Sequence, residues 1–134
     1  MNDIGMKITL SLAALYNLAW GFMVVFFPHL PFQWLHLPQP EPPWIWQCLG
    51  MVIGVYGVGY AIAARDPFRH WAIVFVGLLG KICGPLGFLF YAFRGEIPWR
   101  FGLNLLFNDL VWWIPFTLIL TRVYRQESLR KQIW

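Results

Sequence analysis

Lys81 stands in the middle of the apolar run Gly77 to Gly87, reading GLLGKICGPLG, and Asp109 stands inside the last apolar run of the chain. A charge at the centre of a membrane-crossing helix costs roughly 2.5 to 3.5 kcal/mol on insertion scales, so each of these residues needs a partner. Lys81 is the twelfth residue of a span that starts at His70, and Asp109 is the twelfth counted back from a span end at Leu120. The two therefore meet at mid-depth. Such a pair has two uses. It can pin consecutive helices in register, with Asn104, Asn108 and Asn17 filling the spare hydrogen-bond positions, because buried ion pairs can specify arrangement. It can also mark a ligand, proton or ion pathway, the default reading of an ionisable residue inside a membrane. A carbonyl, quinone or hydroxyl head could hydrogen-bond to the pair, with Trp112, Trp113, Phe88 and Phe107 as aromatic walls for an apolar body. The candidate polar core is thus Lys81, Asp109, Asn108, Asn104, Asn17 and Trp112.

Other chemistries find no support in the residue pattern. The sequence holds no HExxH, no phosphate-binding glycine loop, no haem-attachment motif and no arrangement suited to a nucleophilic triad. Cys48 and Cys83 lie inside apolar runs, far from CxxC or metal-ligand spacing, and read as small hydrophobes. His29 and His36 have only distant acidic help, too few ligands for a metal, and read as solvated interfacial side chains. His70, beside Arg69, could shuttle protons but reads as solvated too. No catalytic residue can be assigned, and whether the chain is an enzyme stays open.

The elements that must position the pair follow from composition. The chain has 134 residues, 59% hydrophobic and 12% charged, with mean hydropathy +0.56, which places it in a membrane. A span needs about 20 mostly apolar residues, so there is room for four and for no separate soluble domain. The expected fold is all-α: one polytopic domain over residues 1–134, a four-transmembrane-helix bundle with spans at about 6–27, 44–64, 70–93 and 101–120. Asp3 and Lys7 precede the first apolar run without a small-residue cleavage site, which predicts an uncleaved first span.

Along the chain, Ala13, Asn17, Gly21 and Val24 share one face of the first span, a small and hydrogen-bonding strip that should face protein. Pro28 to Pro43 is too proline-dense for a long helix, and its aromatic residues predict a short interfacial segment around Phe32 to Leu37. Gln47, Gly50, Gly54, Gly57 and Ala61 give the second span a small-residue strip for close packing. Tyr56 and Tyr60, nearer its end, read as interface anchors with a polar contact to a ligand as the other use. In the third span Gly77, Lys81, Gly84 and Phe88 share a face and Cys83 points away. Pro85 has no amide proton, so the Lys81 carbonyl four residues earlier loses its helical donor, in a place where the helix should bend and a polar group could be held. The fourth span is polar on two faces about a third of a turn apart, Asp109 and Trp112 on one and Asn104 and Asn108 on the other, so neighbours should enclose it.

Charge gives orientation. The net charge of +4 forms no aromatic-interleaved basic patch, which argues against nucleic acid as a partner. Lys7, Arg65, Arg69, Arg122, Arg125, Arg130 and Lys131 fall on one side of the four spans and only Arg94 and Arg100 on the other, so both termini should be cytoplasmic and the tail after Thr121 should end in solvent.

The run WQCLGMVIGVYGVGYAIAARDPFRHW, followed by GLLGKICGP and FNDLVWWIPF, resembles small four-span bacterial membrane proteins loosely grouped as DoxX-like, in a layout that covers most of the chain. That resemblance implies an inner-membrane location and quinone-linked redox chemistry, and it carries over no catalytic residue. Arg100-x-x-x-Asn104 is also similar to a motif of the four-span glutathione-using enzymes of eicosanoid metabolism, but Phe107 stands where those have an acidic residue and Asp109 is out of step. The functional expectation is an apolar small molecule with a polar head, such as a quinone, isoprenoid or lipid, bound near Lys81 and Asp109 within the lipid bilayer. Two alternatives are an accessory or assembly subunit of a larger membrane complex and a small transporter that works as a homo-oligomer.

Overall fold

The computed structural model describes residues 1–132, with side chains through Leu129; those of Arg130 and Lys131, which the charge count uses, lie outside this range. The described residues form an all-α bundle. Helix α1 spans Asp3–Phe26, α2 Leu30–Trp34, α3 Pro43–Arg65 and α4 Trp71–Phe93. The last apolar run opens as a 3-10 turn at Trp99–Phe101, continues as α5 over Gly102–Leu105, widens into a π turn at Leu106–Leu110, and runs on as α6 over Val111–Gln132. Four of these stretches are long and apolar enough to cross a membrane, and their outward faces carry exposed Ile8, Leu12, Val55, Phe75, Leu86 and Phe90. An apolar outer surface of this extent suits lipid and not water. The protein is a four-span transmembrane bundle.

Local chemistry sets the helix ends. The Asn2 side chain accepts from the Gly5 amide at 2.8 Å and caps α1. Phe26 ends α1 two residues before Pro28, whose ring cannot continue the ladder. The proline-rich connection holds only the short α2, consistent with the interfacial segment expected there. Pro43 occupies the first turn of α3, where a missing amide proton costs nothing. The Asp66 carboxylate accepts from the Arg69 amide at 3.1 Å and tightens the turn into α4.

α1 packs most closely on α3. Asn17, Gly21 and Val24 are all buried, and a side chain added at Gly21 would meet the Gly50 carbonyl and the Gly54 backbone. Small residues here let the two backbones approach, and in lipid such packing replaces the hydrophobic effect as the adhesive. The Gln47 amide reinforces the seam by donating to the Val25 carbonyl at 2.8 Å.

The apolar core fills the half of the bundle nearer the chain ends, where Met6 and Leu10 of α1, Tyr60 and Ala63 of α3, Val74 of α4 and Phe116 and Ile119 of α6 are in one cluster. Helix α6 runs on past the expected span end at Leu120, and Val123 is 3% exposed while Arg122 and Arg125 are exposed. Ile119 and Val123, four residues apart on one face, continue the core beyond the expected span end. Arg122 pairs with Asp3 at 2.6 Å, which places the end of the fourth span beside the start of the first.

Candidate functional site

The site starts from Pro85. Without its amide proton the Lys81 carbonyl has no helical donor, and Trp113 of α6 supplies one, its indole nitrogen donating to that oxygen at 2.9 Å. The helix α4 continues unbroken through the proline. At the other end of the same residue the Lys81 ammonium donates to the Asn108 carbonyl at 2.5 Å and lies 4.0 Å from Asp109 Oδ1. Lys81 is thus held by its backbone and by its side chain, both times by the fourth span. Trp113→Phe should lower stability in detergent by about 1 kcal/mol, because it leaves a buried carbonyl without a donor. Thermal unfolding beside wild type measures it.

The Asn108 carbonyl that accepts this hydrogen bond lies inside the π turn. The Val111 amide reaches back to the Leu106 carbonyl, five residues earlier, and a wide turn of this kind inserts one extra residue into the helix. A regular helix would put Asn104 and Asn108 about a third of a turn away from Asp109. The wide turn narrows that separation, and all three residues line one cavity. The two polar faces expected of this span are therefore one polar surface turned inward.

The cavity has a volume of about 350 Å³, within the range of small-molecule sites. Its charged lining residues are Lys81 and Asp109, each 6% exposed. Asn17, 3% exposed, donates from its amide nitrogen to the Ile53 carbonyl at 3.3 Å, while its Oδ1 is buried with no partner. Asn108 Oδ1 and the indole nitrogens of Trp20 and Trp46 are also buried and unpaired. Two acceptors and two donors without partners therefore belong to residues that line one cavity beside an ion pair. Buried polar groups are ordinarily satisfied.

Of the residues singled out from sequence, Lys81, Asp109, Asn108, Asn104 and Asn17 all line this cavity. Trp112 stands behind them, its ring centroid 5.9 Å from the Lys81 ammonium, close enough for a cation–π contact. The aromatic walls differ from expectation. Trp113 is engaged with the Lys81 carbonyl, Phe88 packs on Trp99 and Phe101, and Phe107 is exposed. The walls come from Trp20, Trp46, Tyr56, Tyr60 and Phe101 instead. Tyr60 is 1% exposed, packed edge-on against Phe116, and so belongs to the interior and not to the interface. Trp20 follows Asn17 by three residues, a spacing that puts both on one helical face and could have identified it. Trp46 had no comparable signal, because its place depends on how α2 covers α3, with Phe32 edge-on against its ring.

Among the described residues no group of three or more His, Cys, Asp and Glu side chains could hold a metal ion. Cys48 and Cys83 are free and exposed on outer faces. Compared with protein-family profiles, curated proteins and solved structures, the chain matches none.

Proposed function

We propose that the protein binds an apolar molecule with a polar head, such as a quinone, isoprenoid or lipid, in the cavity beside Lys81 and Asp109. The observation that carries this reading is the set of unpaired polar atoms at Asn17, Asn108, Trp20 and Trp46, buried around one cavity. Packing ordinarily leaves such atoms paired, because each unpaired group costs free energy. His29 Nδ1 and Trp112 Nε1 are unpaired as well, but four of the six unpaired atoms among the described residues belong to residues of this one cavity. A ligand head that bonds to them recovers that cost. The π turn at Leu106–Leu110 points the same way, since such turns recur at functional sites. Likeness to DoxX-like proteins adds membrane redox chemistry as a setting and a bacterial inner membrane as the location. The distribution of Lys7, Arg65, Arg69, Arg122 and Arg125 against Arg94 and Arg100 supports cytoplasmic termini.

The test is extraction. Wild type and the Lys81→Met/Asp109→Asn double variant, purified in mild detergent, are extracted with organic solvent and the extracts compared by absorbance and mass spectrometry. The expected result is a stoichiometric apolar molecule in wild type that is missing from the folded double variant. An extract from wild type without one, together with co-purification of a larger membrane complex, would reassign the protein as an accessory or assembly subunit.

A further inference from the structure

Two close approaches bound the cavity. Gly21 seals α1 against Gly50 and Gly54, and the Tyr60 ring lies directly over Gly77, closing α3 against α4 at the end nearer the core. Farther along the same pair of helices the closure stops. Gly80 and Gly84 of α4 line the cavity and are exposed at the same time. So are Leu49 and Val52 of α3, at 49% and 54%. A Cβ added at Gly80 would meet nothing within 4 Å. Residues that line the cavity and also face lipid define a lateral opening between α3 and α4.

The polar lining restricts what can enter. Lys81 and Asp109 carry opposite charges and are the charged side chains that reach the cavity, so the surface offered to a ligand is neutral overall. A phosphate or carboxylate head would add an uncompensated negative charge in a medium that solvates it poorly. The unpaired indole donors of Trp20 and Trp46 require an acceptor, and the unpaired amide oxygens of Asn17 and Asn108 require a donor. A hydroxyl supplies both functions, with two lone pairs for the indoles and one donor for one of the two amide oxygens.

Resting on the ligand-binding reading above, we infer that the protein takes up an uncharged, hydroxyl-bearing amphiphile sideways from the bilayer, through the gap at Gly80 and Gly84, with its head among Asn17, Asn108, Trp20 and Trp46 and its tail in the gap. The site selects three features at once: a neutral head, a head that both donates and accepts, and a tail that leaves between α3 and α4.

Three probes share one tail and differ in the head: farnesol, farnesyl methyl ether, which accepts but cannot donate, and farnesyl phosphate, which is anionic. Binding of tritiated farnesol to the full chain in detergent is measured directly, with the other two as competitors. The ether and the phosphate should each compete about tenfold or more weakly than unlabelled farnesol, the ether because it leaves buried acceptors unpaired and the phosphate because its charge is not compensated. Gly80→Phe, which fills the gap without disturbing a packed contact, should weaken farnesol binding by about tenfold. Gly87→Phe should leave it within about twofold, because Gly87 is also open but does not line the cavity. Phosphate competing as well as farnesol, with binding lost in Lys81→Met/Asp109→Asn, would keep the ligand site and overturn the neutral head. An ether equal to farnesol would overturn the hydroxyl requirement. Gly80→Phe binding like wild type would overturn the lateral route, and binding of none of the three would overturn the inference, while the ligand site itself falls only if the wild-type extract holds no apolar molecule.

Discussion

Lys81→Met alone should lose about 3–5 kcal/mol of stability, and Lys81→Met/Asp109→Asn should recover most of that loss. Removing the ammonium leaves the Asp109 carboxylate, 6% exposed, without its opposite charge, and leaves the Asn108 carbonyl without its donor. The carboxylate is the larger part. An uncompensated charge in the interior costs far more than the net worth of the pair, because the pair's attraction mostly repays desolvation that both ions have already suffered. Converting both residues removes both charges and restores a neutral interior of similar volume, with the amide at position 109 able to donate as well as accept. Thermal unfolding of wild type, both single variants and the double in one detergent gives the coupling directly. Single-variant losses that simply add in the double would show that the two side chains do not act as a pair, contrary to the geometry. The double variant is also the one suited to ligand extraction, since it changes the site without leaving a charge unpaired.

Gly21→Ala should destabilise the bundle by about 1–3 kcal/mol while Gly54→Ala leaves it nearly unchanged, although both glycines sit on the same seam. The new Cβ at Gly21 would lie 2.7 Å from the Gly50 carbonyl oxygen and 2.9 Å from the Gly54 Cα. Those are backbone atoms and cannot rotate away, so α1 and α3 must separate along the seam and lose dispersion contacts over several turns. A Cβ at Gly54 would meet nothing within 4 Å, and replacing glycine by alanine inside a helix is otherwise favourable. The pair of substitutions therefore distinguishes close backbone approach from helix propensity. Equal losses at the two positions would mean that propensity or lipid contact governs this seam. Because Asn17 and Trp20 sit on the same helix and line the cavity, a separation at Gly21 should also reduce the yield of extracted ligand.

Much of this architecture was legible from residue spacing. The four spans follow from apolar runs cut by Pro28, by the proline-rich connection and by the basic turns, because a backbone in lipid must satisfy its own hydrogen bonds and so must be helical. The α1 face of Ala13, Asn17, Gly21 and Val24 follows from the regular advance of about 100° per residue. The rise of about 1.5 Å per residue predicted that Lys81 and Asp109 share a depth, and the freed Lys81 carbonyl follows from Pro85 by covalent chemistry alone.

What spacing could not supply begins where the helix is irregular. Asn104, Asn108 and Asp109 come to one surface through the wide turn at Leu106–Leu110, and nothing in the local residues requires that turn. The contact inside that turn is made by a partner 27 residues away, the Lys81 ammonium that donates to the Asn108 carbonyl. The cavity walls Trp20 and Trp46, the opening at Gly80 and the helical run past Leu120 are likewise set by which neighbour each face meets. The sequence by itself determined the spans, their packing faces and the level of the ion pair, because these depend on covalent geometry and on the solvent. The tertiary structure alone decided the polar surface and its opening, because these depend on contacts between residues far apart in the chain.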